Sequence, residues 1–105
     1  MRIGTDLVYV PRVPTSDTFV RGILSERELE EYRERKDKQR YLAGRFAAKE
    51  AYLKALGTGL GGKALKEIEV LHLESGAPYL QVGESRYDIS ISHDGDYAVA
   101  VCLLP

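Results

Sequence analysis

Apolar and polar residues alternate along residues 2–10, with Ile3, Leu7 and Tyr9 on one face and Gly4, Asp6 and Val8 on the other. That period of two predicts a strand, which Pro11 and Pro14 bring to an end. A short helical stretch is expected over 16–24. Ser25-Glu26-Arg27-Glu28 matches a capping box, in which the serine accepts from a free amide and the glutamate reaches back. It predicts a short helix over 26–35. Asp37 is placed to cap a longer helix, Lys38–Leu56, rich in strong helix formers, with Leu42, Phe46, Leu53 and Leu56 as its core stripe and Gly57 as its closing glycine. Thr58-Gly59-Leu60-Gly61-Gly62 follows as a loop.

The period returns to two in the second half. Residues 67–73 and 79–82 are expected as strands joined by the turn Glu74-Ser75-Gly76-Ala77-Pro78. In 86–92, Tyr87, Ile89 and Ile91 alternate with Asp88, Ser90 and Ser92, a half-buried strand. His93-Asp94-Gly95-Asp96 is expected to turn the chain into a final, mostly buried strand, Tyr97–Leu104. Helices early and antiparallel strands late define an α+β class, with helices packed on an antiparallel sheet. The 105 residues suit one domain, 1–105, with no internal repeat or linker.

Charge changes the picture in one respect. The net charge of −1 gives no global pull towards nucleic acid. However, Arg33, Arg35, Lys36, Lys38, Arg40, Arg45, Lys49 and Lys54 crowd the middle, and acids dominate the later part. Such asymmetry suits either a solvated helix surface or a face for an anionic ligand. No apolar run approaches the roughly 20 residues of a membrane span, and residues 1–6 lack a signal-peptide core. The single cysteine, Cys102, has no intrachain partner and reads as a buried thiol in an apolar strand. A cytoplasmic location fits these features.

Two carboxylates are candidates for chemistry. Asp6 interrupts an apolar strand, where a carboxylate must be hydrogen-bonded, paired or bound to metal. Glu50 lies four residues before Lys54, the favourable order for a helix-surface ion pair. Alternatively, Asp6 and Glu50 meet between strand and helix as ligands for Mg²⁺, which takes one or two carboxylates and leaves the remaining positions to water and phosphate oxygens. Arg45 and Lys49, one turn apart, would then flank an anion. The glycine-rich loop lacks the Gly-Lys-Ser/Thr ending of a P-loop.

Three segments together resemble the holo-acyl-carrier-protein synthases, a branch of the phosphopantetheinyl transferases. These are Ile3-Gly4-Thr5-Asp6-Leu7-Val8; Tyr41-Leu42-Ala43-Gly44-Arg45-Phe46-Ala47-Ala48-Lys49-Glu50-Ala51 with Lys54-Ala55-Leu56-Gly57-Thr58-Gly59; and Ile89-Ser90-Ile91-Ser92-His93-Asp94 with Tyr97-Ala98-Val99-Ala100. The resemblance implies a homotrimer with sites between subunits and transfer of 4′-phosphopantetheine from coenzyme A to a serine of acyl carrier protein. It implies that Asp6 and Glu50 hold Mg²⁺. It also sets Arg45, Lys49, Lys54, Gly57, Thr58, Gly59 and His93 around the coenzyme, and Arg12 and Arg21 towards the carrier protein. Lys54 would stabilise developing charge, and Glu50 or a metal-bound water would accept the serine proton. Residues 13–19 depart from the family pattern in being short and poor in basic residues. The competing classes are a non-catalytic basic module that binds an acidic protein or nucleotide, and a different Mg²⁺-dependent phosphate enzyme.

Overall fold

A computed structural model of the chain describes residues 1–57 and 64–105. Within them three helices pack on a five-stranded antiparallel sheet of order β1-β5-β4-β3-β2. The strands are β1 (Arg2–Tyr9), β2 (Ile68–His72), β3 (Pro78–Val82), β4 (Ser85–Asp94) and β5 (Tyr97–Leu104). The helices are α1 (Asp17–Ile23), α2 (Glu26–Glu34) and α3 (Lys38–Leu56). The expected α+β class and all the expected elements are present, with small shifts at their ends.

Those shifts have local causes. β1 stops at Tyr9 because Val10–Arg12 forms a single 3₁₀ turn around Pro11, whose ring fixes the backbone away from the extended form. β4 runs on through His93 and Asp94, so the connection to β5 is the two-residue turn Gly95-Asp96, with Gly95 at φ 55°. His93 therefore belongs to a paired strand, opposite Ala98, and not to the turn where the sequence pattern put it. At the start of α3, Asp37 occupies the expected cap position but makes no cap bond. Its carboxylate accepts two bonds from Arg35, at 2.8 and 2.9 Å. Gly57 closes the helix in the left-handed region at φ 81°, its amide donating to the carbonyls of Leu53 and Lys54. The glycine-rich loop after it, including Thr58 and Gly59, lies outside the described residues.

α3 is the axis of the molecule. The sequence suggests one apolar stripe, yet the helix is buried on most sides: Tyr41, Leu42, Ala43, Ala47, Ala48, Ala51, Tyr52, Leu53 and Ala55 all lie in the core. It lies across β1 and β5, reaches β4, and is covered on its outer side by α1 and α2. A helix wrapped in this way needs apolar or very small residues nearly all round, and its alanines supply them. The tightest contact is with β1. A Cβ added at Gly4 would stand 1.9 Å from the Ala51 carbonyl oxygen and 2.6 Å from the Ala55 amide nitrogen. Strand and helix backbones touch there, and only glycine permits it.

The strand pairing leaves a second feature. Ile3, Leu7 and Tyr9 of β1 pair with Leu103, Val99 and Tyr97 of β5, and cross-strand partners share a face. That face points away from α3. Ile3 is 68% exposed and Leu7 65% exposed, with Tyr97 and Val101 beside them. The more apolar side of β1 is thus its outward side. The inward side holds Gly4, Asp6 and Val8.

Candidate active site

Asp6 reaches the helix because β1 is drawn against α3 two residues earlier, at Gly4. Lys54 Nζ donates to Asp6 Oδ1 at 2.8 Å. Glu50, one turn before Lys54, shares with Asp6 the wall of a cavity of about 390 Å³. Phe19, Phe46 and Pro14 form its apolar side, and the two phenyl rings lie 6.0 Å apart. Arg12 borders the same cavity, its guanidinium 5.4 Å over the Tyr9 ring.

Partial burial holds the Glu50 carboxyl above its usual range, the nearby Asp6 charge pushes it up further, and Lys54 opposes both. Two carboxylates that disfavour each other's charge, with a cation beside them, form a site short of positive charge. Among the described residues no third His, Cys, Asp or Glu joins them. That donor set does not match a metal enclosed by protein ligands. It does match Mg²⁺, which is commonly held by two carboxylates and completed by water and phosphate oxygens.

The other expected site residues divide. Gly57 sits at the end of α3, three residues beyond Lys54. Arg45 is nearly buried at the α2–α3 contact, with its guanidinium 4.0 Å over the Tyr41 ring and 3.5 Å from Glu31. Tyr41 donates to that same glutamate at 2.5 Å. Burial and this bond push the Tyr41 phenol well above its ordinary value. The Arg45 Nε is buried and has no partner among the described residues. His93 Nε2 lies 3.1 Å from the Arg40 carbonyl oxygen. A carbonyl can only accept, so Nε2 carries the proton and the lone pair of the neutral ring is on Nδ1. The ring rests on Gly44, where an added Cβ would be 3.1 Å from both Cε1 and Nε2. Neither Arg45 nor His93 borders the Asp6–Glu50 cavity. Arg21 is exposed on α1, paired with Asp17 at 2.9 Å, and also lies outside it.

Lys49 lies in the interior. Expected beside Arg45 at the coenzyme, it is 0% exposed. Its ammonium donates to the Ile23 carbonyl at 2.6 Å and to Glu28 Oε1 at 2.5 Å. Burial lowers the lysine's proton affinity, while the Glu28 charge and hydrogen bond restore part of it. Glu28, which the sequence marks only as the last member of a capping box, is also fully buried. It accepts from the Ser25 amide at 2.9 Å and from the Val70 amide at 2.9 Å. Removing one partner of such a pair typically costs about 3–5 kcal/mol, because a buried charge is left alone. The pattern [ST]-x-x-E was the only sequence signal for it. Phe19 and Phe46 likewise line the cavity, which their sequence positions did not announce.

Comparison with known proteins agrees with this architecture. The sequence profile of the 4′-phosphopantetheinyl transferase superfamily matches residues 2–102. A holo-[acyl-carrier-protein] synthase of Wolbachia sp. subsp. Drosophila simulans (strain wRi) is 42% identical, with 97% of this chain and 95% of the relative covered. The crystal structure of the holo-[acyl-carrier-protein] synthase from Neisseria meningitidis superposes with a TM-score of 0.88 at 33% identity, covering 96% of this chain and 94% of that one. The Bacillus anthracis synthase, solved in complex with CoA (3′,5′-ADP), superposes with a TM-score of 0.87 at 37% identity, over 96% of this chain and 92% of that one. The chain belongs to the 4′-phosphopantetheinyl transferase superfamily and is an enzyme of its holo-[acyl-carrier-protein] synthase branch.

Proposed function

We propose that the chain transfers 4′-phosphopantetheine from coenzyme A to a serine of apo-acyl carrier protein, with Mg²⁺ held by Asp6 and Glu50, as a homotrimer. The observation that carries this reading is the meeting of Asp6 and Glu50 on the wall of one cavity, with Lys54 bonded to Asp6. The Bacillus anthracis relative binds coenzyme A or its 3′,5′-ADP portion, the half of the substrate that would leave.

In the reaction, the serine oxygen forms a bond to the β-phosphorus of coenzyme A. The bond from that phosphorus to the bridging oxygen breaks, and 3′,5′-ADP departs with its electron pair. Mg²⁺, when bound, supplies Lewis-acid charge to the pyrophosphate oxygens. Lys54, half-exposed and bonded to Asp6, would place an ammonium near the negative charge that grows on those oxygens. Glu50, on the cavity wall beside Asp6, would accept the serine proton. Phe19, Phe46 and Pro14 keep water from one side of the reacting centre. Arg12 at the cavity rim, with Arg21 on α1, offers positive charge to an acidic carrier protein.

Two features support the trimer. The outward face of β1 and β5 is apolar and exposed, as expected of a surface that another copy covers. Arg45 and His93 lie apart from the carboxylates within one chain. Arg40 and Lys54, the anchors of the two clusters, are about 21 Å apart along α3. A neighbouring copy could therefore complete the coenzyme site. The alternative of a basic binding module loses support, because Lys49 is buried and Arg45 nearly so.

The test incubates the protein with coenzyme A, Mg²⁺ and an apo-acyl carrier protein, followed by mass spectrometry of the carrier. A gain of one phosphopantetheine that EDTA, Asp6→Ala and Glu50→Ala abolish is the expected result. A folded protein that modifies none of several carriers would overturn the transferase reading.

A further inference from the structure

We propose that Glu28 and Lys49 form a positioning pair for the transfer reaction, setting the rotation of α3 so that Glu50 faces Asp6. This inference rests on the reading of Asp6 and Glu50 as the reacting site.

The pair joins four elements. Lys49 projects from α3 and bonds the Ile23 carbonyl at the end of α1. Its other acceptor, Glu28, stands in the first turn of α2 and accepts from the Ser25 amide that begins that helix. The second Glu28 oxygen accepts from the Val70 amide in the middle of β2. Both side chains are fully buried, and each charge meets directed partners. Around the pair, Ser25 Oγ donates to Glu69 at 2.7 Å, which ties β2 again to the start of α2.

Stability alone does not account for this choice. Apolar residues of similar volume at a buried ion pair commonly stabilise a fold as well or better. What a charged pair adds is direction. Apolar contacts tolerate a helix that slips or turns slightly, whereas the Lys49 ammonium keeps its bonds only at one setting of α3.

That setting matters because Glu50 is the next residue. Consecutive helix residues are about 100° apart, so turning Lys49 towards α2 and β2 turns Glu50 towards β1 and the cavity. A side-chain tip lies roughly 5–6 Å from the helix axis, so a rotation of about 10° moves it about 1 Å. A displacement of that size at a reacting centre is worth on the order of 100-fold in rate. The torsions of Glu50 recover part of it, leaving an expected loss of about tenfold. Lys49 thus acts through its neighbour and does not touch the substrate.

Two variants test the assignment, each compared with wild type that transfers phosphopantetheine. Lys49→Met leaves Glu28 buried without its partner and is expected to lower the melting temperature sharply. Glu28→Gln with Lys49→Met removes both charges, keeps an amide oxygen as acceptor for the buried Val70 amide and is expected to stay folded. In the double variant, Mn²⁺ affinity read by electron paramagnetic resonance should fall several-fold and kcat about tenfold. The KM for coenzyme A and the metal-free Kd for 3′,5′-ADP should be unchanged. Wild-type Mn²⁺ affinity and kcat in the double variant would mean that the pair only stabilises the fold, and would overturn the proposal. So would a weakened metal-free Kd for 3′,5′-ADP, which would make Lys49 a coenzyme ligand after all. Absence of transfer by wild type would instead remove the transferase reading on which the proposal stands.

Discussion

Lys54 bonds Asp6 across the gap between α3 and β1, at 2.8 Å, although Glu50 lies one turn before it on its own helix. The ammonium is committed to the strand carboxylate, while partial burial and then the Asp6 charge raise the proton affinity of Glu50, which Lys54 only partly opposes. A sequence rule for helix-surface pairs would have joined the other two residues. The carboxylates are unequal: one is paired with a cation, and the other has a raised affinity for protons.

Lys54→Ala should separate chemistry from stability. The side chain is 53% exposed, so unfolding free energy should change by no more than about 0.5 kcal/mol. The transfer rate should fall on the order of 100-fold if the ammonium stabilises the departing charge. Chemical denaturation and single-turnover mass spectrometry of the carrier give the two numbers.

The outward apolar face gives a prediction about assembly. Leu7 is exposed in the single chain, so Leu7→Asp should leave the monomer folded, as judged by far-ultraviolet circular dichroism. Its charge would have to be buried without a partner wherever another copy covers β1. If the proposed trimer is built on this face, sedimentation velocity should show a trimer for wild type and a monomer for Leu7→Asp, and coenzyme binding should weaken with it.

Gly44→Ala should disturb His93 and little else. The new methyl would sit 3.1 Å from two ring atoms, so the imidazole must shift away from the Arg40 carbonyl. A loss of about 1 kcal/mol is expected, the scale of mild overpacking. Adding His93→Ala should return most of it, because the methyl then fills space the ring has vacated. Nitrogen NMR of the wild-type imidazole should show the proton on Nε2.

Cys102 should report unfolding. It is wholly buried in β5, and burial pushes its thiol up to about 11. A thiol-specific reagent should therefore leave the native protein untouched at neutral pH and label it on denaturation. The linkage has a definite sign. The unfolded thiol ionises near 9, below the folded value, so the folded state holds the proton over that interval. This increment of stability is complete below pH 9 and is lost as pH rises towards 11. Melting temperatures should fall more steeply across that interval in wild type than in Cys102→Ala.

Local signals made much of the fold legible. The capping box at Ser25 set the start of α2, and Gly57 set the end of α3. Alternation identified β1 and β4, though it could not say which face of β1 turns inward, because that depends on partners remote in sequence. The site was half legible. Asp6 stood out as a charge in a strand, and Glu50 and Lys54 followed from the helix motif. The burial of Lys49 was not legible, because helical spacing tells which residues are neighbours on a helix and not what surrounds that helix. α3 is enclosed, so a lysine on it can point into the interior when Glu28, 21 positions earlier, awaits it there. No single-sequence pattern announces such a pairing.

The contact at Gly4 has a consequence for how this enzyme can change over time. Because β1 and α3 meet backbone to backbone, the frame that carries the two carboxylates is referenced to main-chain atoms, which every substitution elsewhere leaves in kind. Interior side chains such as Leu42 or Leu53 can be exchanged and repacked while that reference surface persists. Position 4 has no such latitude: the atoms it meets belong to the backbone of residues 51 and 55, so no compensating exchange at those positions makes room. Tolerance to drift across the interior is obtained by concentrating intolerance at one residue.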